Sequence, residues 1–381
     1  MKIGILGYGN VGKGVCEIIE KNFDDIEIVH ICDQSVDISL DKRFTQDNNV
    51  LLNGIDVLLE MIVNEEPAHT IIMNALNSGI HVITSNKATV AKYLDEFIET
   101  ANKNNVQFKF EASVGGGIPW IQSLIKAKRI DKITSCKGIL NGTTNYILDK
   151  MNKNHLSFND CLADAQKLGY AEANPTADID GYDVQRKIMI SSAIAFSGIV
   201  PYKEFDRLSL ANIQLEDIEY FNNKEFTIKY VGSSFIKNKS VYGSVEPVLF
   251  NNNHIFTKVD KNNNIVELVG DTIGTLSFVG QGAGRYPTAN AMIQDLLDIK
   301  NGCNDNLAFE NKIEMNKDDI MFEYIICSSQ LSLNQDVFVS VENYKGRNIA
   351  LTKPMTPQAR NELMSMLKEL DQYIFCIRKE D

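Results

Sequence analysis

Residues 169 to 187, GYAEANPTADIDGYDVQRK, gather Glu172, Asp178, Asp180 and Asp183 and close on Arg186 and Lys187. Carboxylates in such a cluster can hold a cation, bind an ammonium group or orient a lysine, and a lysine can stabilise or protonate a developing alkoxide. Asp183 and Lys187 stand at i and i+4, so a helix starting near Asp180 presents both on one face. Three readings compete: a solvated acidic loop entering a helix, a cation site, or an active site that holds charge out of water. In the first, the pair is an exposed ion pair worth about 0.3 to 0.5 kcal/mol. A calcium loop of EF-hand type is excluded, because Met189 occupies the position that needs a bidentate glutamate.

The elements that would position these groups begin at the N-terminus. Lys2 to Leu6 has a strand pattern, Gly7-Tyr8-Gly9-Asn10-Val11-Gly12 follows, and Val11 to Lys21 has helical spacing. In such a unit the first glycine makes the tight turn, the second admits a pyrophosphate and the third lets helix pack on strand, while free helix N–H groups face the phosphates. A second strand, Ile26 to Cys32, ends in Asp33, where a carboxylate can take a ribose 2′-hydroxyl; alone, Asp33 reads equally as a turn residue. The runs Ile55 to Ile62 and Gly79 to Ile83, separated by a helix from Pro67 to Asn77, extend a doubly wound parallel sheet. TSNKA, residues 84 to 88, then sits at a strand's C-terminal end, where ligands of such sheets bind, so Ser85 and Lys87 face a cofactor or, in the plainer reading, solvent. The helix Leu94 to Asn102 and the strand Val106 to Glu111 lead to EASVGGGIPW, whose bare backbone either crosses another chain segment or lines a site.

Beyond this point the pattern changes. Lys132 to Leu140 reads as a strand, and NGTTNYILDKM sets Asn141, Gly142, Thr143 and Thr144 at a helix start, as small donors for a polar substrate or as a turn and cap. Ile228 to Phe235, Val241 to Val245, His254 to Lys258 and Ile265 to Gly270 read as strands of a mostly antiparallel sheet, with Asn-rich hairpin tips at 251–253 and 262–264. GQGAGRYPTANAMIQDLLD is a glycine turn, including Gly284, feeding a helix. Over 301–381, strands at Tyr324 to Cys327, Val337 to Val341 and Tyr373 to Ile377 with a helix from Pro357 to Leu370 suggest a small α/β module.

The chain has 381 residues, is 44% hydrophobic and carries a formal charge of -12, a balance that disfavours a nucleic-acid or anionic-membrane surface. Seven scattered cysteines with no CxxC pair suggest neither a disulfide framework nor a zinc knuckle, and no apolar run approaches the roughly 20 residues that span a bilayer. The expected compartment is a reducing cytoplasm.

GYGNVG, TSNKA, EASVGGGIP, ILNGTTNYIL, LGYAEANPTADIDGYDVQRK and GAGRYPTANA, spread from Met1 to about Lys300, together resemble the homoserine dehydrogenase family. The resemblance implies NAD(P)-dependent interconversion of L-homoserine and L-aspartate 4-semialdehyde on the way to threonine and methionine. It implies a Rossmann domain over 1–112, completed by a helix around 286–300, an α+β mixed-sheet substrate and dimerisation domain over 113–285, and a homodimer or larger homo-oligomer. By the same resemblance Asp183 and Lys187 form the central polar pair with Lys187 as proton donor. Lys87 is the other lysine of the site, Glu172 binds the substrate ammonium, and Asp178, Gly142, Thr143 and Tyr170 contact substrate. Asp180, an acid at the helix start, reads as its cap. Gly7, Gly9, Asn10, Val11, Gly12, Asp33, Asn64, Ser85, Lys87 and Gly284 would hold NAD or NADP. Glu111 with the carbonyls of Val114, Gly116 and Ile118 would hold a structural Na+ or K+. Asn174, where an aspartate is usual, and Gln281, where a proline is usual, remove no charge assigned to catalysis. The absence of a basic residue beside Asp33 favours NAD slightly, although Lys42 and Arg43 lie close downstream. Two other functions compete. An acylating semialdehyde dehydrogenase needs a nucleophilic cysteine, a setting that neither Cys16 nor Cys136 offers; a regulatory protein without catalysis would have no use for Lys87, Asp183 and Lys187.

Overall fold

The structure, a computed structural model, describes residues 1–380 except 238–239, 306, 310, 317–318 and 332–335. Its first sheet holds β1 (Lys2–Leu6), β2 (Glu27–Cys32), β3 (Phe44–Thr45), β4 (Val57–Glu60), β5 (His81–Thr84) and β6 (Phe108–Lys109), all parallel, in the order β3-β2-β1-β4-β5-β6. Helices α1 (Asn10–Asn22), α2 (Asn48–Leu51), α3 (Glu65–Asn77) and α4 (Lys87–Lys103) connect the strands. β4 is buried throughout and β1 from Ile3 to Leu6, as a sheet covered on both faces requires. The order of strands reverses between β1 and β4, and the turns at their C-terminal ends enclose the crevice where such sheets take ligands. The expected strand Val106 to Glu111 is cut short, because Glu111–Ser113 closes into a 3-10 turn.

The middle of the chain runs through α5 (Trp120–Lys128), β7 (Ile133–Ile139), α6 (Gly142–Asn154), α7 (Phe158–Lys167), α8 (Thr176–Ile179), α9 (Tyr182–Phe196), β8 (Gly198–Ile199), β9 (Asp206–Arg207) and α10 (Leu215–Asn222). β10 (Phe226–Lys237) and β11 (Ser240–Asn251) pair antiparallel along their whole length, and β12 (Asn263–Gly270) lies between β7 and β13 (Gly274–Gln281). α11 (Arg285–Lys300) then returns to the first sheet. Its Ala289, Met292, Leu296 and Ile299 share a core with Val15 and Ile19 of α1.

Several expectations are corrected here. His254 to Lys258 is not a strand: Ile255–Lys258 is a 3-10 turn whose first turn is capped by the His254 ring, with Phe256 buried and Ile255 45% exposed. The run has one core-facing residue, too few for a strand face. Asn264 is no hairpin tip but lies fully buried within β12. Asp180 does not cap α9. Gly181, with φ 78°, holds that place, and Asp180 instead accepts a hydrogen bond from Ser209 Oγ at 2.6 Å.

The tail does not form a sheet of its own. β14 (Asn311–Lys312) pairs β8, while β15 (Tyr324–Ser328), β16 (Phe338–Tyr344), β17 (Arg347–Thr352) and β18 (Phe375–Lys379) extend the second sheet, giving β13-β12-β7-β10-β11-β18-β15-β17-β16. β18 joins it parallel to β11, through Val248 opposite Arg378 and Leu249 opposite Lys379. Buried ion pairs tie it down: Arg347 with Asp217 at 2.9 Å, Arg378 with Glu246 at 2.9 Å, and Arg360 of α12 (Pro357–Lys368) with Asp206. Charges buried this way are retained only when paired.

Candidate active site

At the first turn of the sheet, Gly7 has φ 98°, a conformation that favours glycine, and a Cβ on Gly12 would stand 2.2 Å from the Gly7 carbonyl oxygen. Nothing lies within 4 Å of where a Gly9 Cβ would be, which leaves the N-terminus of α1 open with Asn10 and Val11 in its first turn. Asp33 reaches back to this turn. Its carboxylate accepts from the Tyr8 amide at 2.7 Å and from the Ser35 amide and hydroxyl at 2.8 and 2.6 Å. These bonds outweigh its partial burial and hold its pKa below the usual carboxylate value. Arg43 is committed elsewhere, to Asp41 at 2.6 Å and Glu20 at 2.7 Å.

The ends of β4 and β5 meet on the same edge. The Ser85 amide donates to the Glu60 carbonyl, and Asn86, whose Oδ1 caps α4, donates from Nδ2 to the Asn64 carbonyl at 3.0 Å. Lys87 therefore enters α4 from a fixed start. Its ammonium lies 2.7 Å from Asp183 Oδ1, while the ammonium of Lys187 lies 2.8 Å from Asp183 Oδ2. One carboxylate thus bridges a lysine from the parallel-sheet unit and one from α9.

Asp183 and Lys187 are buried, at 4% and 8% exposure, so the exposed-pair reading fails. Burial alone would raise the Asp183 pKa, but the two lysine charges and the Asn141 amide outweigh it and hold it well below the usual carboxylate range. For Lys187, burial outweighs the attraction of Asp183 and, with repulsion from Lys87, lowers the pKa. Lys87, whose side chain is 41% exposed, is raised by Asp183 against partial desolvation. Asp178 is raised by burial and by the neighbouring Asp183 charge. The second ammonium contact of Lys187 is the Leu140 carbonyl at 2.6 Å, leaving one of its three N–H bonds for another acceptor.

The sequence reading placed Asn141 in the NGTT cluster but gave it no role of its own. Its Nδ2 donates to Asp178 at 2.7 Å and to Asp183 at 2.9 Å, and its Oδ1 accepts from the Thr144 amide to cap α6. It joins the two acids while fixing the helix start; its place in NGTT was the available signal. Gly142 begins that helix, and Thr143 Oγ1 donates to the Tyr170 carbonyl at 2.6 Å. Tyr170 is 41% exposed and packs edge-on against Tyr146. Glu172 stands apart from the Lys87, Asp183 and Lys187 contacts, exposed, and among the described residues no hydrogen bond or ion pair reaches its carboxylate. Asn174 closes the following turn by accepting from the amide and hydroxyl of Thr176.

Glu111 projects beneath the glycine loop and accepts from the amides of Ile121 and Gln122 at 2.9 and 2.8 Å; burial pushes its carboxyl up to about 7. The Ile118 carbonyl accepts from Trp120, whereas no donor among the described residues reaches the buried carbonyls of Val114 and Gly116. Gly284, with φ 128°, precedes α11 where residues 282–283 cross the loop at Gly116. Burial pushes the Cys16 and Cys136 thiols up to about 12 and about 11, opposite to what a nucleophile needs.

The family model described as homoserine dehydrogenase matches residues 119–297, and that described as the homoserine dehydrogenase NAD binding domain matches 7–111. The homoserine dehydrogenase of Synechocystis sp. is 35% identical over 316 residues, which cover 78% of this chain and 73% of the relative. The chain belongs to the homoserine dehydrogenase family. The Bacillus subtilis homoserine dehydrogenase is 34% identical over 78% of this chain and 72% of its own. The Thiobacillus denitrificans homoserine dehydrogenase structure superposes with TM-score 0.89 at 28% identity, covering 100% of this chain and 98% of that one. As a homoserine dehydrogenase the chain is an NAD(P)-dependent oxidoreductase acting on a CH–OH group, in amino-acid biosynthesis. Among the described residues no helix is long and apolar enough to cross a membrane.

Proposed function

We propose that the bridge from Lys87 through Asp183 to Lys187 is the reacting centre for homoserine and aspartate semialdehyde, with Lys187 as the acid and base. The observation that supports this most is the buried carboxylate held between two ammonium groups at 2.7 and 2.8 Å. Gly7, Gly9, Asn10, Val11 and Gly12 with Asp33, Asn64, Ser85 and Gly284 would hold a nicotinamide cofactor, which would supply the hydride for aldehyde reduction or take it up in the reverse direction. Lys187 directs its remaining N–H toward the substrate oxygen and donates the proton as charge develops there. Its lowered pKa suits that transfer better than the raised pKa of Lys87. Asp183 orients both lysines, and Asn141 with Asp178 fixes Asp183. Gly142, Thr143 and Tyr170 bound the substrate, and Glu172, whose carboxylate has no partner among the described residues, takes the substrate ammonium. Oxidation of NAD(P)H by the purified protein on addition of aspartate semialdehyde tests the reading, and no oxidation above background would overturn it.

Glu172→Gln is expected to raise KM for homoserine by about tenfold, the loss of one charge-assisted contact, and to leave cofactor KM within about twofold. Initial rates with each substrate varied measure it; an unchanged homoserine KM moves the ammonium site elsewhere.

The cofactor reading is NAD before NADP. Asp33 places a charged carboxylate at the end of β2, and Arg43 is engaged with Asp41 and Glu20 instead of awaiting a phosphate. The expected result is a higher kcat/KM with NAD, narrowed or reversed in Asp33→Ser. A wild-type preference for NADP would show that exposed Lys42 or another cation outweighs Asp33.

A monovalent cation belongs to the same reading. Glu111 and the carbonyls of Val114, Gly116 and Ile118 would hold it, and the two buried carbonyls without donors fit such an ion; its part is to pin the glycine loop. A homo-oligomer is likewise proposed: β13 ends the second sheet as an edge strand with Val279 56% exposed, a face that a second copy would cover. Domain limits of 1–112 with α11, 113–285 and 301–381 follow from the same reading, in a cytoplasmic enzyme.

A further inference from the structure

We propose that Glu60, outside the proposed reacting residues, is a positioning residue that clamps the β4–α3 loop to the β5–α4 loop and so sets where Lys87 stands. The proposal rests on Lys87 belonging to the reacting centre. Glu60 is the last residue of β4, paired beside Leu6 of β1 and Thr84 of β5 on the edge that carries the glycine turn. It is fully buried. Its Oε1 accepts from the Ile62 amide at 2.9 Å, and its Oε2 accepts from the Thr84 hydroxyl. Thr84 Oγ1 in turn accepts from the Asn86 amide at 2.9 Å, and Asn86 both caps α4 and reaches the Asn64 carbonyl. One carboxyl therefore fixes, through the Thr84 hydroxyl, the amide of the residue immediately before Lys87.

A carboxyl with only a neutral packing shell is an unusual choice for this place, because its ionised form is costly to bury. Leu6 faces it from β1, Thr84 from β5, and Asn86 from the start of α4; Met61 to Asn64 carry no charge. The nearest charged residues on the packed elements are turned away: Lys87 to Asp183 and Glu65 to Lys92. Burial pushes Glu60 up to about 7, against hydrogen bonds from Thr84, Ile62 and Asn86. The neutral form prevails below that pH. Above it the ionised carboxylate accepts the Thr84 and Ile62 bonds more strongly, so ionisation changes the grip of the clamp on the start of α4.

Three variants of the full chain test this. Glu60→Leu removes the hydrogen bonds at similar volume and is expected to lower kcat about tenfold or more, the scale of a small misplacement at a reacting centre. Glu60→Gln keeps neutral hydrogen bonding, is expected to stay within about threefold of wild type at acid pH, and loses an ionisation near 7 from the pH profile of kcat/KM. Lys87→Met is expected to cost less in the Glu60→Leu background than in wild type, since misplaced Lys87 has less to lose. Additive effects with wild-type pH behaviour in Glu60→Gln would overturn the clamp. If Glu60→Leu does not fold, the Glu60→Gln profile decides: one superimposing on wild type overturns it, and one without the ionisation supports it. Wild-type kcat in Lys87→Met would instead remove Lys87 from the reacting centre, the reading beneath the proposal.

Discussion

Lys187→Met is expected to lower kcat by at least about 100-fold in both directions while cofactor affinity stays near wild type. The size follows from the proposed role: Lys187 delivers the proton in the transition state, a contribution of about 100-fold to 10,000-fold for a positioned general acid. Methionine keeps the buried stem packed at 8% exposure and removes only the charge and the donors. The direction of the pH dependence follows from the depressed Lys187 pKa. Aldehyde reduction needs the protonated amine and falls as pH rises through that pKa; homoserine oxidation needs the free amine and rises over the same window. Steady-state rates in both directions across pH, with cofactor binding followed by fluorescence, measure all three quantities. A variant with wild-type kcat, or one that loses cofactor binding together with rate, would defeat the assignment.

Asp183→Asn is expected to reduce kcat by at least about 100-fold and to destabilise the fold, because a neutral amide leaves the buried Lys187 ammonium unpaired. Removing one partner of a buried pair costs about 3 to 5 kcal/mol, and the lower end applies here because the second partner, Lys87, is 41% exposed and screened. Asp183 also contributes to pH dependence with a definite sign. Its native pKa lies below the unfolded value of 3.8, so its stabilisation is fully present above that value and is lost as pH falls below it. Wild type is therefore expected to lose more stability than Asp183→Asn when denaturant unfolding is moved from neutral pH to below pH 3.8. Equal acid sensitivity of the two proteins would show that the bridge is not the pair that titrates.

Much of this was legible in the chain itself. Glycines 7 and 12 can be read without coordinates because local sterics dictate them: Gly7 takes φ 98° and a Gly12 Cβ would run into the Gly7 carbonyl, while Gly9 is open and answers only to what a ligand would need. The i, i+4 spacing of Asp183 and Lys187 is likewise local, since helix geometry alone puts them together, as their 2.8 Å contact bears out. The succession β1, α1, β2, β4, α3 and β5 follows from periodicity along the chain, whereas the short β3 and α2 were not read from it.

What the sequence left open depends on contacts between distant segments. Whether Asp183 and Lys187 form a weak surface pair or a buried centre is a matter of what covers them, and only packing brings Lys87 from α4 against the same carboxylate. Asn141 gave no sign of its bridging, because Asp178 and Asp183 lie 37 and 42 residues away. Asp180 looked like a cap by residue type, yet the left-handed turn between α8 and α9 gave that place to Gly181. The run Ile55 to Ile62 announced a strand but not that it would end at Glu60, nor that this carboxyl would sit between two loops. The tail's short strands read as a small module, but no local pattern shows that its sheet would join the second sheet, with β18 beside β11 across more than a hundred residues. Residue spacing fixes which side chains can share a face; pairing and burial across the fold determine which charges lose their water, and with it which of them can do chemistry.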